Sequence, residues 1–157
     1  MTSFPEGFAI VYCEGAFNTT NGKTAHGLVR RTARYQVLSV VDSRYAGQDA
    51  GLVLDGKNKN IPIFRSVEES FEQSKNAGKK ATHLVVGLAP DGGRLSSTAR
   101  QDVMSAIKLG LHVDCGLHDF LSEDPEMLKL AKNHGVILRD IRKTPPRSEL
   151  HFFSGKI

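Results

Sequence analysis

The sequence predicts an α/β domain: a three-layer, doubly wound, mostly parallel sheet with strand order 3-2-1-4-5-6. Three observations predict it. Apolar runs of strand length alternate with helical stretches along almost the whole chain. The first run, Phe8 to Cys13, is continuously apolar, as a strand buried on both faces is. Strands joined by helices must be parallel, with right-handed crossovers. At 157 residues the chain reads as one domain with an irregular tail from about residue 142.

After the first strand, Lys23 to Arg34 carries Ala25, Leu28, Val29 and Thr32 on one helical face. Gly27 interrupts it, either for close packing on the sheet or to admit a ligand. Gln36 to Val41 is a second strand that delivers Asp42 at its end. Ser43 to Asn60, with Gly47, Gly51 and Gly56, reads mostly as loop. Ile61 to Phe64 is a short strand, and Pro62, which cannot donate to a ladder, puts it at an edge. Ser66-Val67-Glu68-Glu69 is a capping box opening a helix to about Ala77. Thr82 to Gly87 is the next strand. The helix after it aligns Leu95, Ala99, Val103, Ala106 and Ile107. Leu111 to Cys115 is a fifth strand. Asp124 caps a helix with Pro125 in its first turn and Gly135 at its end, and Val136 to Ile141 is the last strand.

The composition, 39% hydrophobic and 24% charged, is that of a soluble globular protein. No apolar run approaches a membrane span, and the first residues lack the basic and apolar regions of a signal peptide. The expectation is a cytoplasmic protein without a membrane partner. A net charge of +4, dispersed and without tryptophan, gives little support to nucleic-acid binding, which is not expected; a basic rim for a polyanionic cofactor explains it equally well. Cys13 and Cys115 fall two strands apart, on the order of 10 Å, so both are expected as free thiols. Close-set cysteine pairs are absent, and no metal site is expected.

The chemistry concentrates at Glu14 to Thr24, E-G-A-F-N-T-T-N-G-K-T, between the first strand and its helix. A loop with Gly15, Asn18 and Gly22 that ends in Lys23 and Thr24 aims backbone N–H groups, a point charge and a hydroxyl at an anion, naturally a phosphorylated small molecule. A solvated loop is the other reading. It is not a Walker loop, because six residues separate Gly15 from Gly22 and Phe17 stands where glycine is needed. The dinucleotide pattern G-x-G-x-x-G is also missing. Asp42 could accept from a ribose or cap the loop after it, and both readings stand. In a doubly wound sheet the ligand lies where strand order reverses, so the loop carrying Pro90, Gly92, Gly93 and Arg94 should face the first one. His118 and Asp119 form the acid–base candidate; shaping of their own loop is the alternative. His83 and His112 lie within strands and read as structural.

Five blocks occur in order: G-K-T-A-H-G-L-V-R from Gly22, V-V-D-S-R-Y-A-G from Val40, G-L-A-P-D-G-G from Gly87, C-G-L-H-D-F-L from Cys115 and D-I-R-K-T-P-P from Asp140. They resemble the N-terminal Rossmann-like domain of the DgcN-type proteins, over essentially the entire chain. That family includes D-glutamate and D-amino-acid N-acetyltransferases. More distantly, the layout is similar to the CoA-binding domain of succinyl-CoA synthetase, with Ile61 to Phe64 and Ala89-Pro90 in matching places. The resemblance implies CoA or acetyl-CoA across the carboxyl edge, or alternatively a nucleotide. Family members continue into a second domain with a true P-loop, so it also implies a separate domain or subunit as partner. A nucleotide-sensing or assembly module, including a homo-oligomer, is the competing reading; a nicotinamide-dependent oxidoreductase is disfavoured by the missing fingerprint.

Overall fold

A computed structural model of the chain describes residues 7–30, 34–88, 95–116, 121 and 124–140. Its strands are β1 (Gly7–Tyr12), β2 (Tyr35–Val41), β3 (Ile63–Phe64), β4 (His83–Val86), β5 (His112–Cys115) and β6 (Leu138–Asp140). They form one sheet in the order β3-β2-β1-β4-β5-β6, with every neighbouring pair parallel. This is the doubly wound order that the strand–helix alternation predicts. Five α-helices occur among the described residues: α1 (Lys23–Arg30), α2 (Ala50–Asp55), α3 (Val67–Asn76), α4 (Ser97–Lys108) and α5 (Pro125–His134). No helix among these residues is long and apolar enough to cross a membrane.

Alternation along the central strand sorts its side chains into two layers. Ile10 and Tyr12 join Val67, Phe71, Val103, Ile107 and Met127 under α3, α4 and α5. Val11 and Cys13 join Ala25, Val29, Val40 and Ala50 under α1 and α2. Each large aliphatic or aromatic side chain so buried stabilises the fold by about 1.5–3 kcal/mol. Both thiols are free and buried. Burial, with Asp42 nearby, pushes the Cys13 thiol up to about 12, so it is no nucleophile at neutral pH.

Helix ends follow the sequence signals. Ser66 Oγ accepts from Glu69 N at 3.1 Å, and Asp124 accepts from Glu126 N and Met127 N. The segment read as loop departs from expectation, because it contains α2 and a 3₁₀ turn over Ser43–Tyr45. Six residues are too few to show a period, yet both ends are capped. Asp49 accepts from Leu52 N and also from Lys59 N and Ile61 N, folding the following loop back onto the helix start. Gly56 closes the helix in the left-handed region, at φ 71°. Gly27 is exposed and a Cβ there would meet nothing within 4 Å, so close packing on the sheet is not its role.

Two local features shape the sheet. The register of β1 against β2 shifts between Ala9 and Ile10, where Val37 pairs with Ala9 and Ser39 with Ile10. Leu38 is therefore the extra residue of a bulge. On the α1 side, Tyr35 packs over Ala9 and Val85 and donates its hydroxyl to Asp114. Arg139 donates to both Asp114 oxygens, at 3.0 and 2.7 Å, and to the Tyr35 oxygen at 3.3 Å. Burial alone would raise the Asp114 carboxyl; the bonds from Arg139 and Tyr35 outweigh it and hold it below the usual carboxylate range.

The two halves of the sheet meet at Gly87, just past β4. Its N–H donates to Tyr12 O at 2.7 Å, and its carbonyl accepts from Ala25 N at 3.1 Å. A Cβ at this position would lie 2.7 Å from Ala25 Cβ and 3.0 Å from Ala25 Cα. Gly87→Ala is expected to cost about 1–3 kcal/mol, seen as a lower urea midpoint at unchanged slope. An unchanged midpoint would show that α1 is free to retreat from the sheet.

Candidate functional site

The carboxyl edge is built around Asp42, which follows β2 and is fully buried. One oxygen accepts from Gly15 N at 3.3 Å and the other from Phe17 N at 2.9 Å. Arg44 adds its backbone N–H at 3.1 Å and its guanidinium, at 3.2 Å to one oxygen and 2.8 Å to the other. Burial would raise this carboxyl, but the Arg44 side chain and the Phe17 and Arg44 backbone N–H groups hold it below its ordinary value. Of the two readings open for Asp42, loop shaping is the one its described contacts express. The carboxylate binds the loop before it in space as well as the turn after it in sequence.

The β1–α1 loop closes on itself. Phe17, the residue that spoiled the Walker pattern, is a core residue with 0% exposure. Its carbonyl bonds His26 Nε2, and its ring meets the His26 ring edge-on at 5.9 Å between centroids. Successive turns bond Ala16 N to Cys13 O, Thr19 N to Ala16 O and Gly22 N to Thr19 O. Gly22 is buried, and a Cβ on it would stand 2.4 Å from Ala16 O and 2.7 Å from Phe17 O. Glu14 braces the other side, accepting from Ser43 N at 2.8 Å and Ser43 Oγ at 2.5 Å.

Gly15, Asn18, Lys23 and Thr24 are exposed along this closed loop and the first turn of α1, whereas Gly22 lies beneath. The N–H groups of Gly22 and Ala25 are already bonded within the protein, to Thr19 O and Gly87 O. An anion here would therefore meet the side chains of Lys23 and Thr24 more than those two backbone donors. Pro90, Gly92, Gly93 and Arg94, and the pair His118 and Asp119, lie outside the described residues. The exit of β4 does sit beside the start of α1, through the Ala25–Gly87 bond and a 3.8 Å contact from Cys13 Sγ to Gly87 O.

One pair escaped the sequence reading. The buried Tyr12 hydroxyl, at the end of β1, donates to Asp102 Oδ2 on α4. Burial, then the Asp102 carboxylate, pushes the tyrosine well above its ordinary value. Asp102 is itself raised by burial and by the charges of Glu68 and Glu14, with the Tyr12 bond opposing. Ninety residues separate the two in sequence. The available signal was a polar Asp102 one position before Val103 in the apolar stripe of α4.

The family model described as "Domain of unknown function (DUF1611_N) Rossmann-like domain" matches residues 43–144. The chain belongs to this family. It is 33% identical over 89 residues to a protein of Tritonibacter scottomollicae named D-glutamate N-acetyltransferase, covering 57% of this chain and 25% of that protein. It also matches the crystal structure of a DUF1611 family protein from Anabaena variabilis, with a TM-score of 0.77 and 26% identity. That match covers 90% of this chain and 38% of the solved one. The chain thus spans about a quarter of the curated relative and well under half of the solved structure. The resemblance found in the five sequence blocks and the DUF1611_N match agree.

Removing the Asp42 carboxylate leaves the Gly15 N–H and the buried Phe17 N–H without their acceptor. Asp42→Ala is expected to cost about 3 kcal/mol in urea unfolding. Because the folded carboxyl lies below its unfolded value of 3.8, the stability it provides is complete above that pH and is lost as pH falls through the folded value. Asp42→Asn should therefore flatten the acid limb of the stability–pH curve below about pH 4. An acid limb identical to the parent's would show that Asp42 is not the titrating group.

Proposed function

We propose that this domain holds CoA, acetyl-CoA or a related nucleotide at its carboxyl edge and serves N-acetyl transfer to the amine of a D-amino acid such as D-glutamate. The observation that supports it is the exposed Lys23 and Thr24 on a loop made rigid by Asp42, beside the point where strand order reverses. The name of the Tritonibacter relative supports the reaction class. In such a transfer the amine nitrogen bonds to the thioester carbonyl carbon, the carbon–sulfur bond breaks, and the amine's proton passes to a base and finally to the thiol. His118, with Asp119 beside it, is the base this reading assigns. A second domain or subunit, carrying a P-loop, is the partner it assigns for activity, and the cytoplasm is the location it assigns.

A second reading has its own support. Because the loop's Gly22 and Ala25 N–H groups are bonded internally, a phosphate would gain less here than at an open helix start. That favours a module that senses a nucleotide weakly or assembles with other chains.

Calorimetric titration with acetyl-CoA, CoA, NAD and ATP, on the parent chain and on Lys23→Ala, separates the two. The expected result is saturable CoA or acetyl-CoA binding that falls about tenfold or more in the variant, as loss of a charge-assisted contact produces. Silence with all four ligands would overturn the cofactor assignment and leave the assembly reading.

A further inference from the structure

The margin of the sheet beyond β2 is incompletely filled. β3 pairs with β2 at Val40 and Val41 alone, and the ladder begins where Val40 N donates to Pro62 O at 3.0 Å. Before that point, from Gln36 to Leu38, β2 has no strand on its outer side among the described residues. Such an edge presents backbone N–H and C=O groups to any chain that can lie along it. Natural edges are commonly guarded by charged side chains, proline or bulges. Pro62 guards the short β3, but Tyr35 to Val41 carries neither charge nor proline, and its bulge belongs to the pairing with β1.

A cavity of about 280 Å³ lies against this gap, between the β2–β3 margin and α3. Leu38, Pro62 and Phe64 line one wall, and Gln73, Ala77 and Lys79 the other. Pro62, Gln73, Ala77 and Lys79 are exposed, and Leu38 and Phe64 are half-buried, so the space opens outward. Backbone geometry sets the apolar wall. Leu38 and Val41 both pack with the cluster under α3, although three residues of regular strand would turn them to opposite faces. The bulge supplies the difference and brings Leu38 to the cavity.

An open backbone edge and an apolar cavity beside it select one kind of occupant. A small molecule in the cavity would leave the edge unpaired, whereas an extended peptide satisfies both. Alternate residues of a strand share a face, so one side chain of such a segment enters the cavity and those two positions away reach its rim. The lining includes one cation, Lys79, and no acidic residue. Glu72, elsewhere on α3, is already paired with Lys75 at 3.7 Å. We infer that this notch receives an extended segment of another protein, added as a strand along β2, with an apolar side chain in the cavity and acidic side chains toward Lys79. The notch shares no lining residue with the carboxyl-edge loop and is independent of the ligand proposed there.

The test is a ¹H–¹⁵N NMR titration of the chain with the peptide acetyl-Glu-Thr-Leu-Thr-Glu-amide, which as a strand places its leucine and both glutamates on one face. Saturable shifts are expected at Gln36 to Leu38, Ala77 and Lys79. The same peptide N-methylated at its three central amides should not bind, and one with lysines in place of the glutamates should bind more weakly. Ala77→Trp, which fills the cavity from an exposed position, should abolish binding. Lys79→Glu should weaken it about tenfold or more, the size of a lost charge-assisted contact. Both variants should keep the spectrum of the folded chain, and Lys23→Ala should bind the peptide as the parent does. No saturable shift would overturn the inference, and so would equal binding of the N-methylated or the lysine peptide. Shifts at Gln36 to Leu38 that grow with chain concentration in the absence of peptide would assign the edge to a second copy of this chain and overturn it as well.

Discussion

The carboxyl edge of this domain depends on one buried anion. The Asp42 carboxylate gathers two backbone N–H groups from the loop that precedes it in space, one from the turn that follows it in sequence, and the Arg44 guanidinium. A carboxylate so deeply buried is tolerable only because its acceptor sites are filled by donors and an opposite charge. Without it, Gly15 and Phe17 would have no acceptor for their N–H groups, and the loop would lose what holds it over the sheet. Phe17 completes the arrangement from below. An aromatic anchor in the core and an anion at the rim together fix a loop that carries no dinucleotide fingerprint.

That arrangement changes what the edge can offer a ligand. In a dinucleotide fold, glycines keep backbone donors open to the pyrophosphate. Here Gly22 allows the chain to pack against its own carbonyls, so the loop is closed and its chemistry passes to side chains. Lys23 and Thr24 stand on one side of the switch point, and the Tyr12–Asp102 pair lies beneath it. The loop therefore stands where doubly wound folds place nucleotides, with side chains and not open backbone donors on its surface.

Much of the fold was legible because its signals are local. Continuous apolar strands, the Ser66 cap and the Asp124-Pro125 to Gly135 frame each state their element within a few residues. The strand order followed from those elements and the handedness of crossovers. Helix α2 was missed because six residues show no period, although Asp49 and Gly56 marked its ends. The site was less legible for a different reason. Asp42 could be seen at a strand end, but its partners Gly15 and Phe17 lie 27 and 25 residues away, and only the fold brings them together. The bulge at Leu38 had no sequence mark, since Leu38 and Ser39 fit an ordinary alternating strand.

The Tyr35–Asp114–Arg139 network reaches from β2 to β5 and β6, across β1 and β4. It ties the half of the sheet wound in one direction to the half wound in the other. Splaying the crevice between β1 and β4 would strip a buried carboxylate of its partners, a costly event in a medium of low polarity. The network thus opposes separation of the two halves along their seam. Opening that platform would cost the Asp114 carboxylate its partners, so side chains and loop tips are the cheaper part of the carboxyl edge to rearrange.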